Sequence, residues 1–196
     1  MEDAGTLLRR LTASLGDRRA PVAAPAGARR AAVLVPVVGA REPALLLCER
    51  THDVLEHKGE ICFPGGSLEP HDRDAVAAAL REAHEELGVS ASDVEIVGLL
   101  GDVQTTSSNF VVTPVVGFLQ RLPRLRPNRL EVSRWLLVSL AALQARGVER
   151  SFYCAAAGCS RVHYEYVVPG ARIWGATARI VRSLLARPAA VEGVTR

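Results

Sequence analysis

The amino-acid sequence predicts an α/β protein in which helices pack on a mixed sheet. Apolar runs of strand length outnumber the helical patterns, and the helical patterns lie between and after them. The chain has 196 residues, of which 48% are hydrophobic and 23% are charged, so we expect one domain with its own core. Aromatic residues make up only 5%, so Val, Leu, Ile and Ala must fill most of that core.

The N-terminal region is predicted to be a helix followed by a linker. Four leucines at helical spacing predict a helix over residues 6–15. Residues 17–29 are rich in Ala, Pro, Gly and Arg, as connecting segments are. We therefore expect residues 1–30 to precede a single domain at residues 31–188, and residues 189–196 to form a flexible tail.

Within the domain, apolar runs predict strands at residues 31–39, 44–49, 61–63, 94–100, 110–118, 135–138 and 162–168. Helical periodicity predicts helices at residues 72–87, 139–145 and 173–185. Gly88 stands where the C-cap of the first of these helices belongs. Pro36 removes one N–H donor from the first strand, so we expect an edge position or a bulge there.

The charge pattern argues against a nucleic-acid partner. The net charge is +3 and the sequence pI is about 8.9, but the arginines are mostly scattered and form no basic stripe with interleaved aromatic residues. No apolar run reaches the roughly 18 residues that a membrane helix needs, and the charged N-terminus lacks the apolar segment of a secretory signal. We therefore expect a cytoplasmic protein without a nucleic-acid or membrane partner.

The four cysteines, Cys48, Cys62, Cys154 and Cys159, contain no CxxC pair. A cytosolic chain of this length does not need disulfides, so reduced thiols are expected. Cys154, Cys159 and His163 have a spacing compatible with three zinc ligands, but no fourth ligand stands out in the sequence.

Three glutamates in the helix predicted at residues 72–87 are the strongest functional signal. Glu82, Glu85 and Glu86 are separated by offsets of three and four, which place them on one helix face. Such close like charges repel one another, and a hard divalent cation such as Mg²⁺ or Mn²⁺ would remove the repulsion. A solvated acidic face is the alternative, but Arg81 can pair with Glu85 one turn on. The Gly-Gly turn before the helix also lets the backbone approach a phosphate-bearing ligand.

Residues 66–89 resemble the Nudix box, whose pattern is GX5EX7REUXEEXGU with U apolar. Residues 81–89 match the second half of the pattern in register. In the first half, Asp72 stands where the pattern has Glu, and eight residues, not seven, separate it from Arg81. The resemblance implies a Nudix-type α/β/α sandwich with a mixed central sheet, and hydrolysis of a diphosphate with Mg²⁺ or Mn²⁺ as cofactor.

The same resemblance implies which residues act. Glu82 and Glu86 would ligate the metal, with Glu85 as a third ligand or as an acid behind the ligands. Arg81 belongs to the same catalytic set. One of the glutamates could also serve as general base, and the sequence does not say which.

The chain upstream of the box is similar to the coenzyme A pyrophosphatases of this family. Their motif LLTxR[SA]xxxRxxxGxxxFPGG is matched in spacing over residues 46–66, which include Arg50, Gly65 and Gly66. Three positions differ from the motif: Cys48, Thr51 and Leu55. Arg50 and the backbone at Gly65 and Gly66 would then bind the substrate phosphates, and a surface ion pair is the other interpretation of Arg50.

This likeness extends over residues 31–186 and implies that the substrate is coenzyme A or an acyl-CoA. The products would be 3′,5′-ADP and (acyl-)4′-phosphopantetheine. A Nudix hydrolase of another nucleoside diphosphate, such as ADP-ribose or NADH, and a non-catalytic nucleotide-binding Nudix module are the alternatives. The expected partner is in each case a small nucleoside diphosphate, and the sequence leaves a homodimer open.

Overall fold

The computed structural model describes residues 4–15, 26–39, 41–51, 59–105, 108–156 and 159–186. The helices in these ranges are α1 Ala4–Leu15, α2 Ala75–Leu87, α3 Leu140–Gln144 and α4 Gly175–Leu185, with a short 3-10 turn at Ala91–Asp93. The strands are β1 Arg29–Val38, β2 Ala44–Arg50, β3 Ile61–Cys62, β4 Gly65–Ser67, β5 Glu95–Leu99, β6 Val103–Gln104, β7 Phe110–Leu119, β8 Val132–Ser139, β9 Glu149–Ala156, β10 Cys159–Val168 and β11 Ala171–Trp174. No helix among the described residues is long and apolar enough to cross a membrane.

The central sheet is mixed, as the sequence predicted. Its strands follow the order β3-β2-β1-β7-β5, while β4 pairs with β1, β6 with β7 and β8 with β2. β1 and β7 are parallel from Arg29 opposite Phe110 to Val38 opposite Leu119, and the other pairs in this sheet are antiparallel. Strands β9, β10 and β11 form a second, antiparallel sheet.

Helices cover both faces of the central sheet. Because side chains alternate along a strand, successive residues of β1 enter different apolar clusters. Leu34 packs in a buried cluster with Ala83 of α2, whereas Val35 belongs to a second cluster that contains Leu15 of α1 and Ile180 of α4. The predicted α/β architecture is therefore confirmed, and α1 contributes to its core.

Helix α2 begins at Ala75, three residues later than the sequence predicted. The Asp74 carboxylate accepts a hydrogen bond from the Ala77 N–H at 2.8 Å, which caps the first turn. Asp72, which we expected inside the helix, lies in the preceding turn. Gly88 has φ 71° and caps the other end, as predicted.

Pro36 does not lie on an edge strand, contrary to one of the two expectations. β1 pairs with β7 on one side, and on the other side with β4 at residues 31–33 and with β2 at residues 37–38. The Leu34 N–H donates to the Pro64 carbonyl on that second side at 2.9 Å, and Pro36 faces the same way because strand orientation alternates. The N–H that Pro36 lacks therefore falls between the residues of β1 that pair with β4 and those that pair with β2.

The C-terminal helix starts later than expected because Ile173 and Trp174 belong to β11. Trp174 pairs with Glu165 of β10, and the helix follows at Gly175. β4 and β6 were not predicted, since strands of three and two residues are too short to show a period. β9 was also missed, because its sequence ERSFYCAA does not alternate cleanly.

Several expectations concern residues outside the described part of the chain. They include most of the predicted linker, the tail at residues 189–196, and Leu55. The side chains of Cys154 and Cys159 also lie outside it, so the zinc alternative is not tested. β1 begins at Arg29, the last residue of the predicted linker, and the domain division at residue 30 stays a prediction.

Candidate active site

The acidic face of α2 lies against strand β4, where the structure places Gly65 and Gly66 in place of the turn that the sequence predicted. Both glycines belong to β4, which pairs with β1 beside the helix. α2 packs on both strands, and its buried Ala79 and Ala83 are small enough to allow a close approach. The sheet backbone and the glutamates of α2 are thereby brought together.

Each of the two glycines is required by a different close contact. A Cβ on Gly65 would overlap the β1 backbone at Ala32 and Val33. A Cβ on Gly66 would overlap the Glu82 carboxylate, with Oε2 only 2.8 Å away. Gly65 therefore lets β4 reach β1, and Gly66 lets Glu82 reach β4.

Arg81 is the centre of the hydrogen-bond network on this face. Its Nε and Nη2 donate to the two oxygens of Asp72 at 3.1 and 3.0 Å, and Nη2 also donates to the Ser67 carbonyl at 3.1 Å. Its Nη1 donates to Glu82 at 2.9 Å and to Glu85 at 3.0 Å, which confirms the predicted pairing one turn on. These bonds occupy all the N–H groups of a guanidinium, so Arg81 joins the helix, the turn and β4.

Asp72, which replaces the first Glu of the Nudix pattern, serves to hold Arg81. Its side chain is only 3% exposed, and its Oδ2 also accepts from the Glu69 N–H at 2.8 Å. The hydrogen bonds from Arg81 lower the pKa of Asp72 to about 2. The carboxylate is therefore ionised at neutral pH and fixes the guanidinium.

Glu86 is the most deeply buried of the three helix glutamates, at 2% exposure. Its Oε2 accepts from the Gly65 N–H at 3.2 Å and lies 4.0 Å from the Cys48 thiol, and its Oε1 is 3.5 Å from Arg50 Nη1. Burial raises the pKa of Glu86 to about 8, opposed by Arg50 and reinforced by the charge of Glu82.

Glu131 is a fourth carboxylate near this site, and no motif or period in the sequence marks it. Its charge raises the pKa of both Glu82 and Glu86, although burial is the larger cause for each. The Asn128 N–H donates to the Glu86 carbonyl at 2.9 Å, and Asn128 Nδ2 donates to the Glu131 carboxylate at 3.1 Å. The loop after β7 is thereby held against the end of α2.

Arg50 ends β2 beside the carboxylates. Its side chain is 26% exposed, and its Nη1 faces Glu86. Its Nε is buried and has no hydrogen-bond partner within the described residues. A buried donor without a partner costs free energy, so an anionic ligand that accepts from it would be favoured here.

Glu85 stands apart from the other two helix glutamates. Its side chain is 53% exposed, and it hydrogen-bonds to Arg81. The structure therefore gathers most of the predicted site residues, namely Glu82, Glu86, Arg50, Arg81 and the two glycines. Glu85 lies at the solvent-exposed rim.

The chemistry of the donors fits a hard divalent cation, although the side chains are not already arranged around one. Over the described ranges, no group of three or more His, Cys, Asp or Glu forms a ready metal site. Glu82, Glu86 and Glu131 offer only oxygen ligands, which Mg²⁺ and Mn²⁺ prefer. Burial and the neighbouring carboxylates raise the pKa of Glu82 and Glu86, and a bound cation would counter both effects.

Comparisons with known proteins identify the family of this chain. A family model described as the NUDIX domain matches residues 28–155. A protein named uncharacterized Nudix hydrolase NudL from Pectobacterium atrosepticum is 35% identical over 158 residues, which cover 80% of this chain and 81% of that protein. The protein of the same name from Escherichia coli strain K12 is 36% identical over 156 residues, again 80% of this chain and 81% of that protein.

Solved structures share the fold at lower identity. A MutT/nudix family protein from Enterococcus faecalis has a TM-score of 0.56 and 13% identity, covering 84% of this chain and 63% of its own. A Deinococcus radiodurans structure has a TM-score of 0.54 and 16% identity, covering 83% and 88%. The family model and these relatives show that the protein is a hydrolase by class, and that the chain belongs to the Nudix hydrolase family. Nudix hydrolases act on nucleoside diphosphate derivatives and generally use divalent metals.

Proposed function

We propose that this Nudix hydrolase cleaves the diphosphate bond of coenzyme A or an acyl-CoA, giving 3′,5′-ADP and (acyl-)4′-phosphopantetheine. The observation that carries the proposal is the contact of Glu86 with both Arg50 and the Gly65 N–H. Glu86 belongs to the Nudix box, whereas Arg50 and Gly65 belong to the upstream motif that resembles coenzyme A pyrophosphatases. The meeting of these two motifs at one carboxylate supports a site for that substrate class.

Glu82 and Glu86 would hold Mg²⁺ or Mn²⁺, with Glu85 or Glu131 completing the set. When bound, such a cation neutralises diphosphate charge and lowers the pKa of a coordinated water. A carboxylate must lose its proton to act as a ligand, so cation binding and the release of the Glu86 proton are linked. One of these carboxylates would also accept the proton of the attacking water.

Arg50 would donate to the substrate phosphate oxygens. It suits this role because no residue in the described part of the chain accepts from its buried Nε, and because its contact with Glu86, at 3.5 Å, is longer than a good hydrogen bond. A guanidinium can contact two phosphate oxygens at once, which would orient the diphosphate beside the carboxylates.

We assign Arg81 to positioning, not to contact with the substrate. Its N–H groups are all committed to protein acceptors, among them Asp72, Glu82 and Glu85. Arg81 would keep Glu82 beside Gly66 and so preserve the shape of the cation site.

The experiment is product analysis after incubation of the purified protein and Mg²⁺ with CoA, acetyl-CoA, ADP-ribose and NADH. We expect 3′,5′-ADP and 4′-phosphopantetheine as the products from CoA. The kcat/KM for CoA should be at least about tenfold above that for ADP-ribose or NADH, a preference of about 1.4 kcal/mol. Preferred cleavage of ADP-ribose or NADH would refute the coenzyme A assignment but leave the site intact. No Mg²⁺-dependent hydrolysis of any substrate would favour a non-catalytic nucleotide-binding module.

Matched variants distinguish the loss of a site carboxylate from a general effect of replacing Glu with Gln. Glu86→Gln and Glu82→Gln keep the size of the side chain and remove its charge, so both should abolish turnover. Glu95→Gln makes the same change on an exposed residue of β5 and should leave turnover unchanged. Full activity in Glu86→Gln would remove this carboxylate from the mechanism.

A further inference from the structure

Two cysteines face each other directly beside the carboxylate site. Cys48 of β2 and Cys62 of β3 are paired residues of antiparallel strands, and their Sγ atoms are 3.6 Å apart. Both are free thiols. The Arg50 N–H donates to the Glu60 carbonyl at 3.0 Å, so the cysteine pair two residues along is also a hydrogen-bonded pair.

The Cα separation of this pair is compatible with a disulfide. Cα atoms in a hydrogen-bonded antiparallel pair are about 5.5 Å apart, which lies inside the range of about 4.4–6.8 Å found across disulfides. The Cβ atoms, about 5.5 Å apart in a hydrogen-bonded pair, must come closer to reach the roughly 3.5–4.5 Å found across disulfides. The sulfur atoms already point at each other. Closing the remaining distance needs side-chain rotation and a small shift of β3, a strand of two residues.

The two thiols differ in exposure, which gives each a separate part in the chemistry. Cys62 is partly exposed, whereas Cys48 is only 1% exposed. A peroxide would oxidise the Cys62 thiol to a sulfenic acid and release one water. The Cys48 sulfur would then attack the Cys62 sulfur, so that the S–S bond forms, the S–O bond breaks and a second water leaves. The two thiols lose two protons and two electrons in total, and the peroxide accepts them.

The same bond would disturb Glu86. The Cys48 Sγ lies 4.0 Å from Glu86 Oε2, so a rotation that brings this sulfur to bonding distance from Cys62 changes its contact with the carboxylate. Arg50, two residues after Cys48, and Gly65, three residues after Cys62, both contact Glu86. A shift of β3 toward β2 therefore moves the groups that hold this carboxylate.

We propose that Cys48 and Cys62 are a site of reversible oxidation, and that their disulfide inhibits the hydrolase by displacing the contacts of Glu86. The thiol chemistry stands by itself, whereas the inhibition rests on the proposed function. A displacement of reacting groups by about 1 Å can reduce turnover by about 100-fold, so we expect at least a tenfold loss.

To test this, the purified 196-residue protein is treated with hydrogen peroxide, its remaining thiols are blocked, and it is digested with trypsin without reduction. Trypsin leaves Cys48 in peptide 42–50 and Cys62 in peptide 59–73. Mass spectrometry should find these two peptides joined, with the loss of two hydrogen atoms. Hydrolysis is measured on the same samples before oxidation, after oxidation, and after reduction with dithiothreitol, which should restore it.

Variants assign the effect to this pair. Cys62→Ser should hydrolyse normally and resist peroxide, and Cys48→Ala provides a second variant that lacks the bond. Cys154→Ser is the matched control and should be inhibited like the natural sequence. Oxidation of Cys62 without a link to Cys48 would overturn the proposed site.

The experiment tests the disulfide and the inhibition of hydrolysis separately. A joined peptide with undiminished hydrolysis would overturn the inhibition and leave the disulfide. Absence of hydrolysis in the reduced protein would contradict the proposed function, while the peptide analysis would still decide whether the disulfide forms.

Discussion

Replacing Glu86 with Gln should stabilise the metal-free protein at alkaline pH while it abolishes hydrolysis. Glu86 is buried, and burial raises the pKa of its carboxyl group to about 8. Above that pH the folded protein must keep a charge out of water beside Glu82 and Glu131, with only partial compensation from Arg50. Gln has nearly the same shape and carries no charge, so it avoids this cost.

The size of the effect follows from proton linkage. An unfolded glutamate releases its proton near about pH 4.3, whereas the folded protein retains the Glu86 proton up to about pH 8. Between these values the folded state binds more protons than the unfolded state, so the free energy of unfolding falls as pH rises. The fall is at most about 1.4 kcal/mol per pH unit. Because Glu86 begins to release its proton before about pH 8, the total between about pH 5 and about pH 8 is roughly 3–4 kcal/mol. The variant lacks this contribution.

The assay is urea unfolding in the presence of EDTA, followed by the fluorescence of the two tryptophans. The natural protein and Glu86→Gln are compared at about pH 5 and about pH 8, and the difference between their free energies of unfolding should grow by roughly 3–4 kcal/mol. Glu95→Gln should follow the natural protein at both values. Parallel pH dependence of the natural protein and Glu86→Gln would refute the claim that this carboxyl group is protonated in the folded, metal-free state.

Three further substitutions test the contacts around the site. Gly66→Ala should displace the flexible Glu82 carboxylate, reducing kcat by about 100-fold but changing stability by less than about 1 kcal/mol in urea unfolding. Gly65→Ala should instead push β4 off the β1 backbone and cost about 1–3 kcal/mol by the same assay. Asp72→Asn should release Arg81 and lower kcat by about tenfold with a small change in KM. Steady-state kinetics that show full activity in Gly66→Ala or Asp72→Asn would contradict these contacts.

The parts of the fold and site that the sequence predicted are those set by local patterns. Helical spacing of apolar residues marked α2, and Gly88 marked its end, because both signals lie within a few residues of one another. The same spacing placed Glu82, Glu85 and Glu86 on one face. The fact that Glu85 is exposed and Glu86 is buried depends on how α2 meets β4, which periodicity does not reveal.

The parts that the sequence did not predict depend on contacts between distant segments. Glu131 comes close to Glu86 only because the loop after β7 docks on the end of α2. Cys48 and Cys62 are brought together by the pairing of β2 with β3. The register of this pairing cannot be predicted from the sequence, because β3 has only two residues. The sequence predicted no role for Asp72, because its hydrogen bonds to Arg81 form only when Asp72 lies in the turn before α2 and not inside the helix.

The two arginines of the site balance its negative charge in different ways. Arg81 is bound to Asp72, a carboxylate whose pKa is lowered to about 2, so this ion pair persists at neutral pH. Arg50 lies 3.5 Å from Glu86, and none of the residues that the structure describes accepts a hydrogen bond from its buried Nε. A cation that replaced the charge of Arg50 at Glu86 would leave this guanidinium available to a phosphate. Cation binding and substrate binding would then favour each other. The cation would pair with Glu86 and release Arg50, and the substrate phosphate would pair with the released Arg50.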